Sequence, residues 1–288
     1  MEVRGEGFYQ WKSLFIMVSV FPSGGLCNRM RVVNSAVALH NLSGSEVEVF
    51  WTKNHLLNCS FSKLFKPLDH VKIREEPIKK RVLILPPHKL KGKDKLIAKL
   101  YKVLKYKNIF YKNDFRGEFN KRNTERLIRV VRKKESAYIE SDHSFMEYNN
   151  YLHPVEEVQC RVDYFSAQFN NYNTIGLHIR RTDHKISKNK STDEAFFKII
   201  DKELANNSQS LFYLATDDPD LKDKLKIRYD HNIYTRDIPL ERNSEDGIIE
   251  AYVELLLLSK TTKIIGSFFS SYSETAAELG NIPLEIAE

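Results

Sequence analysis

The second half of the chain alternates apolar strands with longer helix-forming stretches, and this order restricts the fold more than any other feature. The runs TIGLHI, SLFYLA, NIYT and TKIIGS are each followed by a helical segment. Parallel strands joined by right-handed helical crossovers are the simplest arrangement for such an order. The first half begins in the same way, with a strand at SLFIMVSV, a glycine-rich turn, a long helix and a strand at EVEVFW.

We therefore predict an α/β protein with two Rossmann-like domains and mostly parallel sheets. The length of 288 residues is enough for two ordinary cores. The domains are expected to span residues 1–165 and 166–288, with the boundary in the polar stretch Phe165–Asn173. A further buried strand is expected at RVLILPP, where prolines end the apolar run.

The charge of the chain is uneven. Residues 1–165 carry 30 Lys and Arg against 18 Asp and Glu, whereas residues 166–288 carry 15 against 20. A basic excess of this kind is typical of a solvated face, of a nucleic-acid surface or of contact with an anionic membrane. Nucleic-acid binding is not expected, because no interleaved base-stacking motif accompanies the basic residues.

One basic stretch, GKDKLIAKLYKVLKYK, predicts an amphipathic helix. Leu96, Ile97, Leu100 and Leu104 lie on one face of that helix, and lysines occupy much of the rest. We expect the apolar face to pack on the core and the lysines to face solvent. The alternative is a helix that lies on an acidic membrane surface.

The apolar stretch Ser13–Phe21 is the only candidate targeting segment. Glu2 and Glu6 precede it and a glycine pair follows it, whereas a secretory signal has a basic start and a small-residue cleavage site. A buried first strand is therefore expected, with a signal peptide as the alternative. Cys27, Cys59 and Cys160 are odd in number and widely spaced, which argues against a disulfide framework or a metal site. A cytoplasmic location is therefore expected, with peripheral contact at the inner face of the membrane as an option.

Polar residues follow the strands of the second half at the point where each strand ends. Arg180 and Arg181 follow the first strand, and Asp217 and Asp218 follow the second. Three serines follow the fourth strand and open a helix, namely Ser267, Ser270 and Ser271. Because ligands of doubly wound sheets bind at the carboxyl ends of the strands, these residues are expected to meet at one edge. Guanidinium groups, hydroxyls and a helix N-terminus together favour a phosphate ligand.

At this point the motifs resemble a known family. GLHIRRTD, FYLATDDPDLKDKL and LSKTTKIIGSFFSSYSETA, in this order, resemble the GDP-fucose-dependent fucosyltransferases, namely the α-1,6 enzymes and, more distantly, the protein O-fucosyltransferases. GGLCNRM resembles the first glycine-rich turn of the same superfamily. The resemblance implies a GT-B fold, in which two Rossmann-like domains face a cleft. It also implies an inverting transfer of fucose from GDP-fucose to a glycan hydroxyl, with no metal and no further cofactor.

The resemblance also implies roles for individual residues. Arg180 and Arg181 match the arginine pair that contacts the diphosphate, and Arg181 is the catalytic candidate of the two. Ser270 matches the phosphate-binding serine, with Ser271 as the alternative, and His178 and Glu254 match positions near the guanine. Glu254 departs from the family, because the α-1,6 enzymes have Asp there. The remaining donor-binding candidates are Gly25, Asn28, Asp217 and Asp218.

An inverting transfer also needs a base that removes the proton of the acceptor hydroxyl. The α-1,6 relatives have a glutamate after the arginine pair, before a helix start that here corresponds to KSTDEAFF. Glu194 is the preferred candidate and Asp193 is the alternative. Asp183 is expected to orient the arginines.

Each of these residues also has a plain structural interpretation. The arginines can form salt bridges at a sheet edge, and Asp217 can be a helix N-cap before DPDL. Asp193 and Glu194 can be ordinary first-turn acids, favoured by the helix dipole. A proline-opened helix explains Asp-Pro-Asp at 218–220 better than a metal motif does.

The same holds for the residues further from the arginines. His178 can be a satisfied core histidine. Glu254, in the apolar run YVELLLLS, needs a partner or a ligand unless it faces solvent. Gly24 and Gly25 can serve only the tight turn.

Three hypotheses for the function follow. The first is fucosyl transfer from GDP-fucose, with a sugar nucleotide and a glycan acceptor as partners and possible contact with an anionic membrane. The second keeps the fold but uses GDP-mannose or a UDP-sugar. The third is a catalytically silent nucleotide- or glycan-binding protein. This hypothesis is favoured if Glu194 and Asp193 lie away from the cleft.

Overall fold

The computed structural model describes residues 17–69, 71–75, 81–181, 189–238 and 243–288. The chain divides into two compact units, each assembled from segments that are separate in sequence. Unit 1 comprises the described residues up to Ser23 together with Val32–Trp51 and Leu68–Asn149. Unit 2 comprises Gly24–Arg31, Thr52–Pro67 and Asn150–Glu288.

Unit 1 contains a five-stranded parallel sheet in the order β3-β2-β1-β5-β4. Its strands are β1 (Met17–Pro22), β2 (Glu46–Phe50), β3 (Val71–Arg74), β4 (Asn108–Phe110) and β5 (Ala137–Ser141). Its helices are α2 (Arg81–Ile84), α3 (Gly92–Lys105), α4 (Phe119–Arg132) and most of α1 (Leu26–Ser43), whose first turn belongs to unit 2. Aromatic side chains dominate one buried cluster of this unit, in which Phe21, Phe50, Tyr106 and Tyr138 pack together.

The β-α-β start predicted from the sequence is confirmed by β1, α1 and β2. The strand predicted at RVLILPP is wrong, because Arg81–Ile84 forms the short helix α2. Short apolar runs fit a strand and a buried helical turn equally well. The edge position next to β5 is instead taken by β4, a strand of only three residues that directly follows the lysine-rich α3.

The predicted packing of α3 is also wrong. Leu96, Ile97, Leu100 and Leu104, which were expected to face the core, are all exposed. Ala98 and Lys102 are the buried residues of this helix. Among the described residues, no helix is both long enough and apolar enough to cross a membrane.

Unit 2 contains a second five-stranded parallel sheet, in the order β10-β9-β6-β7-β8. Its strands are β6 (Thr174–Ile179), β7 (Leu211–Thr216), β8 (Ile233–Thr235), β9 (Ile264–Gly266) and β10 (Leu284–Ile286). Its helices, besides the start of α1, are α5 (Glu156–Ser166), α6 (Asp193–Asn206), α7 (Pro219–Tyr229), α8 (Glu245–Ser259) and α9 (Ser271–Gly280). The strand order reverses between β6 and β9, which is the position where doubly wound sheets bind ligands.

The two faces of β6 carry different side chains because successive residues of a strand point to opposite sides. Ile175, Leu177 and Ile179 join the core that α6 and α7 cover with Phe196 and Leu221, among others. The opposite face of β6, which carries Gly176, packs closely against the end of α8. A Cβ on Gly176 would lie 2.9 Å from Thr261 Oγ1 and 3.0 Å from Leu258 Cδ2, so this glycine permits the segment at the end of α8 to approach the strand closely.

The division between the units lies earlier in the chain than the boundary expected at Phe165–Asn173. Helix α5 groups with unit 2, because it packs along α8. Arg161 of α5 forms an ion pair with Glu250 of α8, and Lys260 forms another with Asp163. Cys27 and Cys59 are buried and Cys160 is exposed, and none of the three forms a disulfide.

Candidate active site

A cavity of about 660 Å³ lies at the carboxyl end of the unit 2 sheet, and all of its described lining residues belong to unit 2. A volume of this size is typical of a site for a small organic ligand. Its walls come from the ends of β6 and β7, from the first turns of α1 and α9, and from one face of α8 between Gly247 and Glu254. The lining residues at the strand ends are His178, Arg180, Ala215, Thr216 and Asp217.

One part of the wall combines a guanidinium group with two helix N-termini. Arg180 lines the cavity directly after β6, and its backbone N–H donates to Ser267 Oγ at 3.0 Å. Leu26, Cys27 and Asn28 line the cavity from the first turn of α1, and Ser271 does so from the first turn of α9. Helix N-termini carry unsatisfied N–H groups and partial positive charge, so this part of the wall is suited to a phosphate group.

The glycine-rich turn before α1 is held by a buried arginine. Gly24 has φ +86°, a conformation that other residues rarely adopt, and its carbonyl accepts from Arg29 Nε at 3.0 Å. Arg29 also donates to the carbonyl of Thr52 at 2.6 Å, and burial lowers the pKa of its guanidinium to about 10. A Cβ on Gly25 would meet nothing within 4 Å, because this residue borders the open cavity.

His178 lines the cavity beside α9. Its Nδ1 lies 2.7 Å from Ser273 Oγ and 3.4 Å from Ser270 Oγ. Its ring stacks on Tyr272, with ring centroids 4.7 Å apart. These contacts fix the orientation of the imidazole, and the serine hydroxyls can donate to Nδ1 or accept from it.

Glu254 is a nearly fully buried carboxyl group in the cavity wall, with 2% of its surface exposed. Burial raises its pKa from 4.5 to about 7, and the nearby positive charges of Arg236 and Lys222 oppose that increase. Among the described residues none forms a hydrogen bond or ion pair with this carboxyl. A buried acid without such a partner is suited to a ligand that supplies N–H donors.

Arg181, in contrast, is absent from the described cavity lining. The side chain lies over Phe196 of α6, and its Nε and a terminal nitrogen donate to Asp193 Oδ1 at 3.1 and 2.8 Å. Its backbone N–H donates to Asp217 Oδ1 at 2.7 Å. Arg181 therefore connects the start of α6 to the end of β6 and holds Asp217 at the cavity.

The structure brings most of the predicted site residues together. The predicted donor-binding residues in the cavity wall are Gly25, Asn28, His178, Arg180, Asp217, Glu254 and Ser271. The predicted residues that the described lining omits are Arg181, Asp193, Glu194, Asp218 and Ser270. Asp183, expected to orient the arginines, lies outside the described residues.

Three of the omitted residues have evident local roles. Asp218, rather than Asp217, is the N-cap of α7, and its side chain accepts from the N–H of Leu221 at 3.1 Å. Ser270 is the N-cap residue of α9 and lies behind Ser271, against His178. Glu194 is an exposed residue in the first turn of α6.

The sequence analysis missed the part of the wall that α8 supplies beside Glu254. Gly247, Ile248 and Ala251 line the cavity together with Glu254, at the spacing of one helix face. Tyr272, whose hydroxyl donates to the carbonyl of Ala251, was missed as well. Small residues one and two turns before a carboxyl group in an apolar helix are a signal that could have identified this wall.

The described residues contain no group of three or more His, Cys, Asp or Glu side chains placed to hold a metal ion. The positive charge in the cavity wall comes from Arg180 and the helix N-termini described above.

Comparison with known proteins identifies the fold. No family model and no curated protein matches the sequence. Among solved structures, NodZ alpha-1,6-fucosyltransferase soaked with GDP-fucose matches with a TM-score of 0.59 and 16% identity over 92% of each chain. The fucosyltransferase NodZ from Bradyrhizobium gives 0.59 and 15% over the same shares. POFUT1 in complex with GDP gives 0.52 and 9%, covering 95% of this chain and 99% of that one. The chain therefore has the GT-B fold of these fucosyltransferases, as the motifs of its second half predicted.

Proposed function

We propose that the protein is an inverting, metal-independent glycosyltransferase that transfers fucose from GDP-fucose to a hydroxyl group of a glycan. The observation that carries this proposal is the composition of the unit 2 cavity. It combines Arg180 and two helix N-termini, which suit a diphosphate, with the buried carboxyl of Glu254, which suits a guanine. The choice of GDP-fucose as donor is supported by two of the neighbours, the NodZ structure soaked with GDP-fucose and the POFUT1 structure in complex with GDP.

The diphosphate is proposed to contact Arg180 and the first turns of α1 and α9. Breaking the bond between the sugar and the diphosphate leaves additional negative charge on the departing phosphate oxygen. A guanidinium and oriented N–H groups stabilise that charge without a metal ion. The proposed donor position therefore requires no metal ion, and activity in the presence of a chelator tests this.

Glu254 is proposed to accept hydrogen bonds from the guanine N1–H and its exocyclic amino group. Ionised carboxylates are acceptors only, so this contact requires Glu254 without its proton. A uracil base lacks the paired donors, and a UDP-sugar would leave the buried carboxyl without a partner. Glu254 therefore favours a guanine nucleotide over a uridine nucleotide, whereas it does not distinguish fucose from mannose.

The general base is proposed to be Asp217. The expected candidates, Glu194 and Asp193, are absent from the described lining, and Asp193 is engaged by Arg181. Asp217 lines the cavity one residue after β7 and is positioned by the N–H of Arg181. Since Glu254 is assigned to the guanine, Asp217 is the remaining carboxylate of the described wall. A base removes the proton of the acceptor hydroxyl as that oxygen attacks the anomeric carbon.

The test is a sugar-nucleotide panel with the purified chain, with and without a chelator. GDP binding is measured by calorimetry, and transfer or hydrolysis is measured by release of GDP or UDP. Wild type is expected to release GDP from GDP-fucose in the presence of chelator. Arg180→Ala should weaken donor binding, whereas Asp217→Asn should bind GDP and lose turnover. Arg228→Ala, an exposed arginine of α7 paired with Asp201, is the matched control.

A catalytically silent nucleotide-binding protein is the second candidate. The observation that favours it is the position of Glu194 and Asp193 outside the described cavity lining. In that case wild type binds GDP but releases none from any donor, and Asp217→Asn changes nothing measurable. A cytoplasmic location, the glycan acceptor and contact with an anionic membrane remain predictions, the last depending on a surface of unit 1.

A further inference from the structure

Helix α3 of unit 1 exposes an apolar stripe from Leu96 to Leu104. Leu96, Leu100 and Leu104 are 69, 57 and 77% exposed, and Ile97 and Val103 are also exposed. These residues recur at the spacing of a single helix face. Five of the twelve exposed large apolar side chains in the described chain belong to this one helix. A contiguous apolar surface of this kind marks an interaction site.

The rotation of α3 about its axis is fixed by contacts of the opposite face. Lys102 is fully buried, and its ammonium donates to the carbonyls of Leu83 and Leu85, each at 2.8 Å. The same ammonium lies 4.6 Å from the centre of the Tyr138 ring. Turning the leucines inward would break these bonds and place the ammonium in solvent. The exposed stripe is therefore a consequence of how the helix is held by unit 1.

The charges beside the stripe are nearly all positive. Lys93, Lys95 and Lys99 are exposed residues of the same helix, and Lys91 directly precedes it. Asp94 is the one acidic residue of α3. Basic residues that border an apolar helix face are the pattern of helices that lie in the interface of an anionic bilayer, where lysine ammonium groups reach the lipid phosphates.

We propose that the exposed stripe of α3 is a docking surface for an anionic lipid bilayer. The helix, about 21 Å long at 1.5 Å per residue, lies parallel to the membrane, with its leucines among the acyl chains and its lysines among the headgroups. A second copy of the chain is a poorer occupant. A symmetric interface places the same patch against itself, which would bring Lys93 and Lys99 of both copies together. Charge complementarity thus selects an anionic surface.

The inference goes beyond the proposed sugar transfer and does not depend on it, because its readout is lipid binding. The full chain is mixed with vesicles of phosphatidylcholine alone and with vesicles that contain about one third phosphatidylglycerol, and bound protein is measured by co-sedimentation. Wild type is expected to bind the anionic vesicles, and to bind more weakly as salt rises. Leu100→Ser with Leu104→Ser should weaken binding at least about tenfold. Lys93→Gln and Lys99→Gln should each weaken it roughly fivefold.

Two control variants match these changes elsewhere on the surface. Ile227→Ser removes an apolar side chain of α7 that is 85% exposed, and Lys198→Gln removes an exposed lysine of α6. Both should bind vesicles as wild type does. The proposal is overturned if wild type ignores anionic vesicles, or if the α3 variants bind as tightly as wild type. It is also overturned if wild type is a dimer by light scattering and the leucine variant is a monomer, since a second copy would then cover the stripe.

Discussion

Replacing Glu254 by Gln should stabilise the protein at alkaline pH while it weakens nucleotide binding. The reason is the cost of keeping a buried carboxylate ionised. The pKa of Glu254 is raised by burial to about 7 from an ordinary value of 4.5. Since a tenfold change in proton affinity is worth about 1.4 kcal/mol, this difference corresponds to about 3 kcal/mol.

The direction follows from proton binding in the two states. Between pH 4.5 and about 7 the folded protein holds the proton of Glu254 more tightly than the unfolded chain does. Stability contributed by this group therefore falls as pH rises through that window and is constant above it. Glutamine carries no charge, so Glu254→Gln should match wild type near pH 4.5 and exceed it by about 3 kcal/mol at pH 8.

The assay is urea unfolding followed by circular dichroism at pH values from 5 to 8.5. Glu250→Gln is the matched control, because it removes another carboxyl of α8 that is paired with Arg161 and Arg236. That variant should be less stable than wild type at neutral pH, since it leaves the buried Arg236 without its carboxylate. Destabilisation by Glu254→Gln at every pH would refute the argument that burial dominates at this position.

Three further results are expected. The affinity of wild type for GDP should fall about tenfold per pH unit below pH 7, because guanine binding requires ionised Glu254. Titration calorimetry at pH 5.5 to 8 measures this affinity, and an affinity that does not change with pH would contradict the role of Glu254. Arg180→Ala should weaken GDP binding by roughly 10- to 100-fold at unchanged stability, whereas Arg181→Ala should cost about 2 kcal/mol of stability. Calorimetry measures the loss of binding and urea unfolding measures the loss of stability. If Arg181→Ala lost binding and Arg180→Ala lost stability, the roles of the two arginines would be exchanged. Gly24→Ala should lower the free energy of unfolding by about 2 kcal/mol because Gly24 has a φ of +86°, whereas Gly25→Ala should lower it by less than about 0.5 kcal/mol. Equal losses of stability in the two variants would exclude the backbone conformation as the cause.

The alternation of strand residues explains which arginine lines the cavity, and the sequence already contained this information. Residues two apart in a strand point to the same side, so Arg180 continues the direction of His178. Arg181 continues that of Ile179, toward Phe196 and the core of unit 2. Pro219 occupies the first helical position of α7 and so marks Asp218 as the N-cap, one residue after the Asp217 that was expected there.

Other features could not be predicted from local patterns. The periodicity of α3 defines an apolar stripe but does not indicate what the stripe faces, and Lys102 decides that through carbonyls of another segment. The run RVLILPP is too short for its period to separate helix from strand. Arg181 pairs with Asp193 because the fold places the start of α6 beside the end of β6. No spacing in the sequence indicates that placement.

Unit 2 corresponds to no continuous piece of the polypeptide. A fragment that begins at Asn150 would lack residues 24–31, and with them the glycine turn and the first turn of α1 that wall the cavity. These residues include Arg29, whose guanidinium joins the glycine turn to the carbonyl of Thr52. The proposed nucleotide site is therefore built from separate stretches of the sequence, so a fragment that contains only the C-terminal half would keep the unit 2 sheet but only part of the cavity wall.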